Sequence, residues 1–176
     1  MTGKVHAALK AGSTAVITGA GTGGIGFSVA KALATRYKLR LVLADLNEHS
    51  LQDAKDCLVS SGVPDTDIVT QQVDVSVAQQ MNDLADLAFG SFGDNAGKVT
   101  FLHLNAGLSA PSKAYGGDRE SWDKILGTNF GGILNGANAF VQRMVDQGQP
   151  AAVVMTGSKQ GFTLPPGNPA CSYHSF

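Results

Sequence analysis

The sequence predicts an α/β fold with helices on both faces of a parallel sheet. Three observations predict it. Short apolar runs alternate with helical patterns along the chain. Those runs are almost continuously apolar, which suits parallel strands buried on both faces rather than a sheet with one wet face. The first run leads into a glycine-rich turn and then a helical pattern, the arrangement that holds a phosphate.

Taken in order, Thr14–Thr18 reads as the first strand. Residues 24–37 read as the first helix, with Val29, Ala30, Leu33 and Ala34 on one face. Residues 39–44 are the second strand. Asn47 is placed to cap a second helix carrying Leu51, Ala54, Lys55 and Leu58, and Gly62 with Pro64 ends it. Residues 68–73 form a third strand. Ser76-Val77-Ala78-Gln79 has capping-box spacing and opens a third helix over 77–89. Val99–Leu104 is the fourth strand. Residues 122–147 read as one long helix interrupted by glycines at 127, 131, 132 and 136, and residues 151–155 as the fifth strand. Right-handed crossovers between such strands give a Rossmann-type doubly wound parallel sheet. At 176 residues, with no internal repeat and no linker, the expectation is a single domain over 1–176.

Composition excludes several classes. Hydrophobic residues are 43% and charged residues 15%, so the chain can build a core. Net charge is −1 with no basic stripe, which argues against nucleic acid as a partner. Cys57 and Cys171 have no metal-ligand spacing and the four histidines are scattered, so neither a metal site nor a disulfide framework is expected. No apolar run reaches the ~18 residues of a membrane span, and the first residues lack the apolar region of a signal peptide. The simplest expectation is a cytoplasmic protein.

The chemistry begins at Thr18-Gly19-Ala20-Gly21-Thr22-Gly23-Gly24-Ile25-Gly26. Backbone N–H groups and the positive end of a helix hold a pyrophosphate, and close approach needs residues without a Cβ. Gly21-x-Gly23-x-x-Gly26 fits the dinucleotide fingerprint in its required strand–turn–helix setting. Asp45, at the end of the second strand, is placed to accept hydrogen bonds from the ribose hydroxyls of an adenosine. Its charge repels a 2′-phosphate, so NAD is expected over NADP.

Thr18-Gly19 followed by Gly24-Ile25-Gly26 resembles the cofactor signature of the short-chain dehydrogenase/reductase family, with one extra residue between the glycine pairs. Which of Gly21, Gly23 and Gly24 faces phosphate therefore stays open. Val73-Asp74-Val75 is similar to the family's aspartate after strand three, which implies that Asp74 bonds the adenine amino group. Asn105-Ala106-Gly107 resembles the turn after strand four, which lines the cofactor cleft, with Leu104 in place of a first asparagine. Trp122-Asp123 and Asn129-Phe130-x-Gly132 are similar to the pattern around the helix asparagine that distorts its helix and holds a water in a proton relay. Thr156-Gly157-Ser158 resembles the serine segment, which implies that Ser158 bonds the substrate oxygen. The segment 164–170 resembles the approach to the family's catalytic tyrosine. The resemblance covers about Thr14 to Ala170 and implies an NAD(P)-dependent oxidoreductase acting on a small-molecule alcohol or carbonyl.

The family's tyrosine spacing falls on Cys171, two residues before Tyr173, and its lysine follows the tyrosine by one helical turn. Counted from Tyr173 that lysine lies past Phe176, and counted from Cys171 it is Ser175. The missing lysine matters chemically. A tyrosine with a pKa of ~10 is ionised about one part in a thousand at neutral pH. An ammonium ~4 Å away, at an effective dielectric of about 20, favours phenolate by roughly 4 kcal/mol, about three pKa units. Tyr173 without it is a poor base. The sequence thus leads to the expectation of an incomplete domain, lacking the C-terminal strands and helices. Its fifth strand would be an uncovered edge, favouring association as a homo-oligomer or through that edge. The alternative reading is a truncated, non-catalytic nucleotide-binding fragment or a gene-model artefact.

Overall fold

The computed structural model describes residues 5–93, 98–109 and 119–159. Five strands, β1 (Thr14–Thr18), β2 (Arg40–Asp45), β3 (Ile68–Gln72), β4 (Val99–Leu104) and β5 (Ala152–Met155), form one sheet in the order β3-β2-β1-β4-β5. All pairings are parallel. The helices are α1 (Ile25–Tyr37), α2 (Glu48–Ser60), α3 (Ala78–Gly90), α4 (Arg119–Leu126) and α5 (Gly132–Asp146). A short 3₁₀ turn, Asp65–Asp67, precedes β3. The predicted doubly wound parallel sheet is the observed one.

Each central strand sends alternate side chains to opposite faces. Val16, Val42, Leu102 and Leu104 pack with Met81, Leu84, Phe140 and Met144 of α3 and α5. Ala15, Ile17, Leu41 and Leu43 pack with Ala30, Leu33, Leu51 and Leu58 of α1 and α2. This two-sided core explains the apolar centres of β1, β2 and β4, whereas β3, at the sheet edge, carries Thr70, Gln71 and Gln72. Burying one such side chain contributes about 1.5–3 kcal/mol. β5 pairs only with β4 among the described residues, and Val153, Val154 and Met155 are exposed on it.

Two expectations need correction. The predicted single helix over 122–147 is α4, a π turn at Gly127–Gly131, and α5. The glycines were read as interruptions, but Gly136 serves packing: a Cβ there would run into the Leu104 side chain, so its absence lets α5 lie close on β4. Ser76 does not cap α3. Val77 takes the N-cap position without a side-chain hydrogen bond, while the Ser76 hydroxyl donates to Asp74 Oδ1 at 2.6 Å. The first helical residue is Ala78, so Ser76 lies one position before the N-cap, and its side chain turns to the preceding loop instead. By contrast Asn47 caps α2 as expected, its Oδ1 accepting from Ser50 N at 3.1 Å. No helix among the described residues is long and apolar enough to cross a membrane.

Candidate functional site

Strand order reverses between β1 and β4, since one connection leaves β1 toward β2 and the next returns past it. Ligands of doubly wound sheets bind at such a switch point, beyond the carboxyl ends of the strands. A cleft of about 620 Å³ opens there. Of the sequence-derived candidates, Gly19, Gly21, Gly24, Ile25, Asp45, Asn105, Ala106, Gly107, Asn129 and Ser158 all line it. Gly23 and Gly26 do not: Gly23 projects into open space, and Gly26 lies buried beneath the Gly19 carbonyl. Asp74 lines an adjoining cavity of about 230 Å³ shared with Asp45, Ala106 and Gly107. Tyr173, with Cys171 and Ser175, lies outside the described residues.

The N-terminus of α1 forms one wall. Its N-cap, Gly24, supplies no side-chain hydrogen bond, and its first turn has no acidic residue. The first amides of a helix have no intrahelical acceptor, and here no side chain satisfies them. Together with the helix dipole they favour an anion. α2, capped by Asn47, offers no such end.

Asp45 forms another wall. Its Oδ2 accepts from Gly21 N at 2.9 Å and its Oδ1 from Asn47 N at 3.0 Å. Each carboxylate oxygen keeps a second lone pair for a ligand hydroxyl. The glycine turn is also held from α2: Thr22 N donates to Ser50 O at 3.2 Å, and the two hydroxyls lie 3.3 Å apart. Asp74 is arranged similarly. Its Oδ1 accepts from both the amide and hydroxyl of Ser76, and its own N–H donates to Gln80 Oε1 at 2.7 Å.

Asn129 sits inside the π turn and is 7% exposed. Its Oδ1 accepts from Leu108 N at 2.8 Å and its Nδ2 donates to Leu108 O at 2.9 Å. The widened turn carries the side chain into the cleft wall, a common use of π turns. The expected helix distortion is therefore present, and its visible partner is the loop after β4.

Beneath the cleft lies a hydrogen-bond network whose members Thr18, His103 and Thr156 sequence reasoning missed. Thr18 Oγ1 accepts from Asn105 N at 3.0 Å and Ala106 N at 3.1 Å. Asn105 Nδ2 donates to the carbonyls of Thr18 and Gly19, both at 3.1 Å. Thr156 Oγ1 donates to Asn105 Oδ1 at 3.0 Å and lies 2.9 Å from His103 Nε2. Thr156 stands in the serine segment and His103 within a strand, and neither carries a local motif of its own. The available signal is a histidine inside a mostly apolar strand.

His103 is 3% exposed, and burial lowers its pKa from the ordinary 6.5. Below about pH 6.5 the unfolded chain binds a proton that the folded chain resists, so stability rises with pH across that window and falls on acidification. The melting temperature is expected to drop from pH 7 toward pH 5. In His103→Leu that drop is expected to be shallower, and equal slopes in scanning calorimetry would remove His103 from the acid response.

The short chain dehydrogenase family profile matches residues 13–173. The 1-deoxy-11-beta-hydroxypentalenate dehydrogenase of Streptomyces avermitilis is 32% identical over 154 residues, covering 86% of this chain and 54% of that protein. The C alpha-dehydrogenase of a Sphingobium species is 29% identical, covering 84% of this chain and 46% of that protein. A short chain dehydrogenase/reductase from Burkholderia phymatum, solved in complex with NAD, superposes with a TM-score of 0.85 at 33% identity, covering 94% of this chain and 56% of that one. The chain thus spans about half the length of the curated relatives it matches. With the family profile running from the start of β1 through the serine segment, the chain belongs to the short chain dehydrogenase family.

Proposed function

We propose that this chain is the cofactor-binding part of an NAD(P)-dependent oxidoreductase that interconverts an alcohol and a carbonyl on a small molecule. The observation that carries the reading is the uncapped N-terminus of α1, opening into a cleft with Asp45 in one wall and Ser158 also in its lining. A dinucleotide fits that wall chemistry: phosphate at the helix amides, adenosine ribose at Asp45, adenine toward Asp74. When bound, the nicotinamide supplies a hydride acceptor or donor.

In this reading Ser158 donates a hydrogen bond to the substrate oxygen. Asn129 supports proton movement by holding the wall at Leu108, and Tyr173 is the acid/base candidate. NAD is favoured over NADP. Asp45 stands where the adenosine ribose would lie, and its carboxylate would repel a 2′-phosphate there. The related Burkholderia structure in complex with NAD supports the same preference. The exposed apolar residues of β5 support association through that edge, as a homo-oligomer or otherwise.

Titrating NADH against protein fluorescence tests the binding. Trp122, the sole tryptophan, packs against Ile125, as does Leu108 of the cleft wall, so binding is expected to change its emission. No saturable change would sink the proposal. Absorbance with added alcohols tests turnover separately, and binding without turnover leaves a nucleotide-binding module. Asp45→Asn keeps an acceptor oxygen but removes the charge. NADH affinity is expected to fall about tenfold, the scale of one charge-assisted hydrogen bond, while discrimination against NADPH relaxes. Unchanged discrimination would remove Asp45 from the ribose site.

A further inference from the structure

We propose that His103 is a positioning residue: its Nε2–H holds Thr156, and through Thr156 it fixes the end of β5 that carries Ser158 against the cofactor turn. The inference rests on reading the cleft as the cofactor site.

The direction of each bond follows from the donors available. Asn105 Nδ2 faces two carbonyls, Thr18 O and Gly19 O, so the other end of that amide, Oδ1, is an acceptor. Oδ1 takes the Thr156 hydroxyl proton. Thr156 has one proton, and it is committed. The 2.9 Å contact with His103 therefore requires His103 Nε2 to donate. The neutral ring is then the Nε2–H tautomer, leaving Nδ1 unprotonated. Nδ1 is buried and has no hydrogen-bond partner among the described residues. A proton on Nδ1 would be buried without an acceptor, so the surround and the Thr156 contact select the same tautomer.

The chain His103–Thr156–Asn105–Gly19 ties the ends of three strands together: β4, β5 and β1. β5 needs the tie most. It has one strand neighbour among the described residues, its outward side chains are exposed, and beyond Met155 its backbone tie to β4 is the bond from Thr156 N to Leu104 O at 3.0 Å. Ser158 follows two residues later in the cleft lining. His103 does not line the cleft, so its effect on a ligand passes through Thr156 and Asn105.

The test uses the full chain, with nitrogen NMR of the histidine rings, amide hydrogen exchange, and NADH titration. At pH 7.5 His103 is expected to show a protonated Nε2 and an unprotonated Nδ1. In His103→Leu, exchange at the Thr156 amide is expected to accelerate about tenfold while Val42 in β2 is unchanged, and NADH affinity falls three- to tenfold. His103→Gln, which restores a donor near the Nε2 position, is expected to recover both. Thr156→Val should reproduce the local loosening, and Thr156→Ser should not. A ring protonated at Nδ1, or equal acceleration at Thr156 and Val42, or no rescue by glutamine, would overturn the proposal. If wild type does not bind NADH, the cofactor reading fails, while the ring tautomer and the exchange pattern still decide whether His103 positions β5.

Discussion

Gly26→Ala is expected to abolish detectable NADH binding at concentrations that saturate the wild type. Its Cβ would strike the Gly19 carbonyl oxygen, lie 3.0 Å from the Gly19 carbonyl carbon, and lie 2.8 Å from Asn105 Nδ2. None of these can yield independently. The Gly19 carbonyl accepts from Asn105, whose side-chain oxygen is held by Thr156. Relief requires α1 to lift from the turn, and lifting it displaces the amides that face the cleft. Overpacking of this kind costs about 1–3 kcal/mol of stability. Gly90→Ala is the matched control: no atom lies within 4 Å of its added Cβ, and α3 ends there. Urea unfolding is expected to separate the two variants, with Gly90→Ala near wild type. Wild-type NADH affinity in Gly26→Ala would show that the first turn of α1 does not touch the ligand.

Asn129→Leu is expected to cost about 2–4 kcal/mol, since it strips partners from both the N–H and the C=O of Leu108 at a part-buried site. The side chains of Leu108 and Trp122 both pack against Ile125, so the loosened loop should also change tryptophan emission. Asn129→Asp separates the two bonds. It keeps an acceptor for Leu108 N but sets a carboxylate oxygen against Leu108 O, so it should be at least as destabilising as Asn129→Ala. If all three variants unfold like wild type in urea, the pair of bonds contributes nothing to folding. If they are destabilised yet bind NADH normally, Asn129 serves the fold and not the cleft.

What was legible in the sequence depended on the range of the interaction. Thr14–Thr18 and Val99–Leu104 were readable to the residue, because an apolar run bounded by turn residues is a local signal. The glycine turn and Asp45 were readable for the same reason, with chemistry and spacing both in one stretch. The π turn was legible only through the resemblance, which placed a helix-distorting asparagine at 129; its partner, the backbone of Leu108, lies twenty-one positions away and carries no local signal. Ser76 had the right spacing for a cap, but the helix begins one residue later than that spacing requires. His103 and Thr156 were hidden most deeply, since they meet only when β4 and β5 align. The resemblance supplied the roles of Ser158 and Asn129. It supplied nothing about His103, whose surroundings are a property of this chain.

The position of β1 between β2 and β4 has a consequence for the order of assembly. β1 can find β2 across one short helix, whereas it meets β4 only after some eighty residues of chain have been placed. Loop closure makes such distant pairings late events in folding. The three strands β1, β2 and β3 thus form a sequence-local unit, and the cleft lies on the seam where the later unit joins it. A nucleotide lying across that joint would act as a clasp, stabilising the union of the two halves more than either half alone.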